Sequence, residues 1–238
     1  MKTTHAAAPL TETQIEDYWK NGYLVVPDLV PPASIDRVLE EAHRVPVAPG
    51  GGWTPKTFDH DQPLLDAALH RLLVEPSIVS AVEQIFEAPA RVYYGMLAIV
   101  PAQGGKGLEW HQDNMYNLVL GRALNTFVAL CDITPDKAIL WVAPGSHRLG
   151  VQESLTREGH RVAKTPENGR PLPTLPKGSV CIFDRSTLHH SKRNETAEHR
   201  YAYAAQYQEE NARNGESGRK DPRRLRVAEL RRMWEEAI

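Results

Sequence analysis

The chain has 238 residues, and its apolar fraction of 41% and charged fraction of 24% are ordinary for a globular protein. A formal net charge of −2 argues against a protein that mainly binds nucleic acid or an anionic membrane. The length predicts a single domain, because barrels and sandwiches of this size often fold as one unit.

The N-terminal segment and the cysteines indicate the cellular compartment. Residues 1–8 lack the apolar core of a signal peptide, and no apolar run approaches the roughly 20 residues of a membrane helix. Cys131 and Cys181 stand among apolar residues, which favours buried, reduced thiols over a disulfide or a metal site. We therefore expect a cytoplasmic protein, a monomer or homodimer, with no nucleic-acid partner and no membrane partner.

The first helix has clear start and stop signals. Thr11 is a good N-cap, Gln14 stands where it closes a capping box, and Asn21-Gly22 is a natural end. Residues 23–27 follow as a short strand. The first 90 residues are predicted to be mainly helical.

Three more helices are predicted in this part. Pro31 and Pro32 begin the second, after which residues 48–52 form a glycine-rich flexible loop. Apolar residues at helical spacing predict a third helix over residues 65–72 and a fourth that begins at Pro76-Ser77.

The pattern changes from residue 91 onward. Short runs rich in β-branched and aromatic residues predict strands at residues 91–100, 126–133, 139–142, 179–183 and 200–207. Helices first and strands afterwards indicate an α+β chain whose second half is a sandwich or barrel.

Two further segments lie within and after these strands. Residues 151–176 are long, polar and rich in Pro and Gly, which predicts a loop that acts as a lid. Residues 208–238 form a tail that is predicted to carry a partly amphipathic helix, with a solvated charged face rather than a nucleic-acid contact.

Two histidines and one carboxylate form the most informative set of residues. His111 and Asp113, in Trp110-His111-Gln112-Asp113, are two residues apart, and alternate residues of a strand point to one face. His189 joins them from a distant strand. Three protein ligands leave about three octahedral positions open, as in non-haem Fe(II) oxygenases, whereas structural metals have closed shells. The set therefore predicts a reactive metal site.

A possible anion site follows His189 in the chain. If Arg200 points inward, alternation places Ala202 and Ala204 on the same face. The guanidinium can bind a carboxylate through two hydrogen bonds, the alanines leave space, and Ser191 could add a hydroxyl. A dicarboxylate bound to the metal at one end would need such an anchor. From these residues alone, a surface arginine and a turn serine are an equally good interpretation.

From Leu10 to about Tyr207, the chain resembles the phytanoyl-CoA dioxygenase family of Fe(II)/2-oxoglutarate oxygenases. The resemblance rests on the order and spacing of Gly22–Pro27, Trp110–Asp113, Val142–Arg148 and the stretch from His189 through Ser191 to Arg200. It implies a double-stranded β-helix, a jelly-roll or cupin-like barrel, with the N-terminal helices packed on one sheet. Residues 91–207 would be its catalytic core.

The resemblance also implies a role for each site residue. His111, Asp113 and His189 are implied to bind Fe(II) as the catalytic centre, and Arg200, helped by Ser191, to hold the far carboxylate of 2-oxoglutarate. Three further residues are implied to line the 2-oxoglutarate pocket: Met96, Gln112 and Phe127.

The implied activity is that of a dioxygenase that uses O2 and 2-oxoglutarate and releases succinate and CO2. It would hydroxylate an unactivated C–H bond of a small molecule, a secondary metabolite or a catabolic intermediate. Related halogenases replace the carboxylate ligand with a small residue, so Asp113 favours hydroxylation, or desaturation, epimerisation or ring formation. Two alternatives remain: a non-catalytic jelly-roll ligand-binding protein, and a Zn(II) or Ni(II) lyase or isomerase, which would not need Arg200.

Overall fold

The structure, a computed structural model, describes residues 9–47 and 51–237, so most of the predicted loop at 48–52 lies outside it. The α-helices in the described part are α1 (Glu12–Asn21), α2 (Pro32–His43), α3 (Pro76–Phe86) and α4 (Val227–Glu236). The first strands are β1 (Tyr23–Val26), β2 (Thr54–Thr57), β3 (Ala90–Val100), β4 (Val119–Leu120), β5 (Ala123–Ala129) and β6 (Leu140–Val142). The later strands are β7 (Ser154–Arg157), β8 (His160–Ala163), β9 (Arg170–Pro171), β10 (Val180–Asp184), β11 (His189–Ser191), β12 (Arg200–Glu209) and β13 (Arg213–Asn214).

The start and end of α1 confirm the sequence prediction. The Thr11 hydroxyl accepts from the Gln14 backbone N–H at 3.2 Å, and the Thr11 N–H donates to Gln14 Oε1 at 2.8 Å. Gly22 ends the helix with φ 79°, in the left-handed region that glycine enters at low cost. A Cβ at Gly22 would also lie 2.3 Å from His147 Nδ1, so both backbone conformation and space require glycine.

Residues 65–72 do not form the predicted α-helix. Asp66 has φ 52°, and the backbone there closes short turns, such as the bond from the Leu69 N–H to the Asp66 carbonyl. A 3-10 helix at Arg71–Val74 then leads into α3. Leu69 and Leu72 are nevertheless buried. The apolar spacing therefore indicated burial correctly, but tertiary packing selected tight turns instead of a helix.

Two antiparallel sheets build the jelly roll. The larger has six strands in the order β1-β10-β5-β12-β3-β2, and the smaller has the order β11-β6-β9. One face of the large sheet packs against α2, α3 and α4 through apolar residues such as Ile35, Ile78 and Leu230. The opposite face and the small sheet enclose a second cluster that includes Phe127 and Val142. The helices and the large antiparallel sheet confirm the predicted α+β architecture.

Strand alternation assigns the side chains of β12 to these two faces. Tyr203, Ala205 and Tyr207 pack towards the helices, whereas Ala202 belongs to the cluster between the sheets. The tail contributes α4, whose Leu230 and Trp234 are buried. None of the helices in residues 9–47 and 51–237 has the length and apolar character needed to cross a membrane.

Candidate active site

A backbone bridge brings two of the three predicted ligands together. The His111 N–H donates to the His189 carbonyl and the His189 N–H donates to the His111 carbonyl, each at 3.0 Å. Asp113 follows at the start of a short 3-10 turn, with its Oδ2 4.0 Å from His189 Nε2. One ligand atom from each of the three side chains lies within 4.8 Å of the other two. The structure thus assembles the predicted triad.

Backbone carbonyls orient both imidazole rings. His111 Nδ1 donates to the Glu109 carbonyl at 2.7 Å, and His189 Nδ1 donates to the Thr187 carbonyl at 2.9 Å. A carbonyl only accepts, so each Nδ1 carries its proton, and Nε2 is the ring nitrogen left to face a metal. Burial, followed by the electrostatic effect of the neighbouring His111, lowers the pKa of His189 to about 4, so the His189 ring is neutral at pH 7.

Asp113 is held as an anion. Its Oδ2 accepts from Asn125 Nδ2 at 2.5 Å. Burial acts to raise the pKa of Asp113, but electrostatic interactions with His189, Arg185 and His111, together with the Asn125 hydrogen bond, lower it below its usual value. Two imidazole nitrogens and one carboxylate form the donor set that non-haem Fe(II) uses, so these residues fit that ion.

The triad opens into a cavity of about 430 Å³ on the inner face of the large sheet. Most of the sequence-predicted site residues line this cavity: His111, Asp113, His189, Arg200, Ser191, Met96 and Phe127. The sheet register explains the neighbourhood, because Ala204 pairs with Met96 on one side and with Phe127 on the other. A small residue therefore lies between the two larger ones.

Arg200 is a buried cation that has no anionic partner among the described residues. The residue is 3% exposed, and its guanidinium lies 5.2 Å from the centre of the Phe127 ring. Burial lowers the pKa of Arg200 to about 10, so the group stays charged at neutral pH. In the described part of the chain, Nε has no hydrogen-bond partner. A buried charge is costly unless it is paired, so this site fits a carboxylate such as that of 2-oxoglutarate.

Gln112 is the exception, because it is not among the described residues that line this cavity. Its Nε2 donates to the carbonyls of Ser186 and Gly150, and its Oε1 accepts from the Gln152 N–H. Gln112 follows His111 directly and points to the opposite side, as alternation requires. Its side chain ties the metal motif to the neighbouring loops.

Three polar residues of the cavity wall were missed or given no role. Asn125 and Arg185 were not singled out from the sequence, and Gln206 was given no function. Asn125 could have been identified as a candidate from the sequence, because asparagine is disfavoured in strands and here it interrupts an apolar run.

The predicted lid segment contains structure of its own. Strands β7 and β8 form a hairpin, and Gly159 and His160 at its turn line the cavity. The rings of His160 and Trp53 lie 6.3 Å apart in an edge-on arrangement. Arg157 bonds to Glu109 beside the metal motif at 3.0 Å, so the hairpin rests against the site.

Comparisons with known proteins agree with this geometry. The family model for phytanoyl-CoA dioxygenase (PhyH) matches residues 18–202. An L-proline trans-4-hydroxylase of Streptomyces griseoviridis is 25% identical over 227 residues, covering 82% of this chain and 84% of that protein. An ectoine dioxygenase of Stutzerimonas stutzeri is 27% identical over 225 residues, covering 79% of this chain and 74% of that protein.

Solved structures share the fold. The epimerase SnoN, in complex with Fe3+, alpha ketoglutarate and nogalamycin RO, has a TM-score of 0.72 at 22% identity, covering 87% of this chain and 86% of that one. EvdO2 from Micromonospora carbonacea var. aurantiaca also has a TM-score of 0.72, at 17% identity, covering 90% of this chain and 96% of that one.

Proposed function

As a member of the phytanoyl-CoA dioxygenase family, the chain is an Fe(II)- and 2-oxoglutarate-dependent oxygenase, and we propose that it hydroxylates an unactivated C–H bond of a small molecule. The substrate would be a secondary metabolite or a catabolic intermediate. One observation carries the proposal: an open set of three ligands shares a cavity with a buried arginine for which the described residues provide no anionic partner.

The triad would hold the metal. His111 and His189 would bind Fe(II) through Nε2, because Nδ1 of each ring is bonded to a backbone carbonyl, and Asp113 would bind it through its carboxylate. When bound, Fe(II) and 2-oxoglutarate supply the oxidation of a C–H bond by O2, with release of succinate and CO2. The protein contributes the placement of the reactants and the exclusion of water.

The residues around Arg200 would hold the co-substrate. Arg200 would bind the far carboxylate, and Ser191, whose Oγ already accepts from the Leu108 N–H at 3.3 Å, would add its hydroxyl proton. Met96 and Phe127 would pack on either side, with Ala204 leaving space between them. We also propose that residues 151–176 act as the lid, because the turn of their hairpin lines the cavity.

Several outcomes are open to the same chemistry. The retained Asp113 disfavours halogenation, whereas desaturation, epimerisation or ring formation would use the same groups. Mass analysis of the product distinguishes hydroxylation, which adds one oxygen atom, from the other three outcomes.

We further propose that the chain works as one domain, a monomer or homodimer in the cytoplasm, without nucleic-acid or membrane partners. A single domain is supported by strands β1 and β2, which come from the first 90 residues and join the same sheet as the later strands. The thiols of Cys131 and Cys181 are free, as expected in a reducing compartment.

Anaerobic calorimetry tests the proposal directly. With Fe(II) present, the wild-type protein should bind 2-oxoglutarate, Asp113→Ala should lose this binding, and the matched control Asp17→Ala, an exposed helix position, should retain it. With O2 and a substrate panel, succinate should form in step with product.

Failure of the wild-type protein to bind 2-oxoglutarate would contradict the proposal. Binding without succinate formation for any substrate would favour a non-catalytic module. Activity that needs Zn(II) or Ni(II) and no O2 would favour a lyase or isomerase.

A further inference from the structure

The polar groups of the cavity lie at two separate ends. Along the inner face of β12, Arg200 and Gln206 are six residues apart, which is about 20 Å in an extended strand, with small side chains between them. Gln206 pairs directly with Asn125 on β5, beside Asp113. The Arg200 end serves the co-substrate under the proposed function, so the end with Asn125 and Gln206 is left for the substrate.

The metal ligand Asp113 fixes the orientation of the Asn125 amide. An ionised carboxylate only accepts hydrogen bonds, so Asn125 must turn its NH2 group towards Asp113. Its carbonyl oxygen, Oδ1, then faces away. This atom is buried and has no hydrogen-bond partner among the described residues. A buried acceptor without a donor is costly, so this oxygen calls for a donor from a ligand.

Arg185 fixes the orientation of the Gln206 amide, but here it is the amide oxygen, and not the NH2 group, that is held by the neighbouring residue. A guanidinium only donates, and Arg185 Nη1 donates to Gln206 Oε1. No other described residue bonds to the NH2 group of Gln206, so this group is left for the cavity that Gln206 lines. Gln206 and Asn125 are cross-strand partners that do not bond to each other, so an unused donor and an unused acceptor stand on adjacent strands.

The same surroundings disfavour a negatively charged group. Arg185 already donates to four oxygens: Gln206 Oε1, Asn114 Oδ1 at 3.1 Å, the Asp113 carbonyl at 3.2 Å and the Asn117 carbonyl at 3.1 Å. Its guanidinium also lies 4.3 Å from the centre of the Tyr93 ring. A carboxylate placed here would meet the Asn125 acceptor and the negative charge of Asp113. The neighbouring wall is aromatic, with Trp53, Tyr94 and Tyr116.

We propose that the substrate binds Asn125 and Gln206 through an uncharged group that both donates and accepts a hydrogen bond, an amide or a hydroxyl, carried on an apolar or ring-bearing body. The inference rests on the proposed function, since it assigns this end of the cavity to the substrate. It narrows the substrate class to molecules whose bound end is neutral.

Matched fragments test the charge and the hydrogen-bonding pattern. Benzamide, benzyl alcohol and benzoate share one ring and differ only in the polar group. Ligand-observed NMR would rank the affinities of the three fragments for the protein loaded with Zn(II) and 2-oxoglutarate, a complex that does not react with O2. The ranking would be repeated on the metal-free protein. We expect benzamide or benzyl alcohol to bind at least about tenfold more tightly than benzoate, the effect of one or two well-placed hydrogen bonds. The tighter of the two identifies the amide or the hydroxyl.

Equal binding of all three fragments, tighter binding of benzoate, or no binding at millimolar concentrations would overturn this inference. Calorimetry of 2-oxoglutarate on the same protein separates such a result from failure of the proposed function, because that ligand uses the Arg200 end. Normal 2-oxoglutarate binding with the wrong fragment ranking removes only the substrate inference.

The Gln206→Glu variant tests the donor itself. Glutamate can still accept from Arg185 but has no NH2 group, so affinity for the favoured fragment should fall about tenfold while 2-oxoglutarate affinity stays unchanged. Gln103→Glu, at an exposed position, is the control for added charge. If Gln206→Glu unfolds, Gln206→Met removes the donor without adding charge. Unchanged fragment affinity in a folded variant would overturn the assignment.

Discussion

Asn125 donates its side-chain amide to Oδ2 of Asp113 at 2.5 Å, and so ties the carboxylate of the candidate metal centre to the central part of the large sheet. Asp113 itself stands on a short turn rather than in a strand of that sheet. The hydrogen bond therefore gives a loop-borne ligand a fixed position. Groups that orient a metal ligand in this way influence affinity for the metal without touching it.

Replacing Asn125 should weaken metal binding. Asn125→Ala leaves the Asp113 carboxylate free to rotate, and we expect affinity for Co(II) or anaerobic Fe(II) to fall by about 10- to 100-fold. A competition titration with a chromophoric chelator measures this. Asn211→Ala, at an exposed position, should leave the affinity unchanged. An Asn125→Ala protein with wild-type metal affinity would show that the hydrogen bond does not position the ligand.

Replacing Arg200 should weaken 2-oxoglutarate binding while the metal still binds. Arg200→Ala removes the buried positive charge, so we expect at least about a tenfold loss in calorimetric affinity, with partial recovery in Arg200→Lys. Recovery stays partial because lysine is a point charge and lacks the planar pair of donors. Metal titration of both variants is the control. Unchanged 2-oxoglutarate affinity in Arg200→Ala would remove this residue from the site.

Replacing Gln112 should cost stability and leave the co-substrate site intact. Gln112→Ala leaves the Ser186 carbonyl and the Gln152 N–H without their side-chain partner, and removes one of the two side-chain donors to the Gly150 carbonyl. We expect the free energy of unfolding to fall by about 2 kcal/mol in urea titrations. Calorimetry on the folded variant should give wild-type 2-oxoglutarate affinity. A selective loss of that affinity would restore the role implied by the family resemblance.

His70 should make the protein less stable in mild acid. It is buried and its Nδ1 is hydrogen-bonded to the Tyr203 hydroxyl at 2.7 Å, and burial lowers its pKa to about 4. In the unfolded chain the pKa of this histidine is about 6.5, so between about pH 4 and 6.5 the unfolded chain binds more protons than the folded protein. The contribution of His70 to folding stability is therefore complete above about pH 6.5 and is lost as pH falls towards 4. The contribution is on the order of 3 kcal/mol.

Urea unfolding at several pH values measures this contribution. His70→Asn lacks the titrating group, so its free energy of unfolding should fall less steeply between about pH 6.5 and 5 than that of the wild type. Other buried groups, such as His189, titrate in both proteins and cancel in the comparison. Parallel pH profiles for the two proteins would contradict the prediction.

The errors in the strand and helix predictions have local physical causes. The run expected at residues 126–133 corresponds to β5, which instead covers Ala123–Ala129. Asn125 lies inside it and has low strand propensity, and it occupies the strand because its amide bonds to Asp113. At residues 65–72 the apolar spacing reflected burial, while the left-handed Asp66 allowed tight turns.

The sequence by itself determined what depends on neighbours in the chain. The capping box of Thr11 and Gln14, the end of α1 at Gly22, and the spacing that places His111 and Asp113 on one side are all set within a few residues. Residue type and order also indicated the ligand set and Arg200. Only the tertiary structure decided that His111 bridges His189, that Asn125 pairs with Gln206 and that Arg185 orients Gln206. Such contacts depend on the register between strands that are distant in the chain. Register is fixed by the burial of whole sheet faces, so no local sequence pattern determines it.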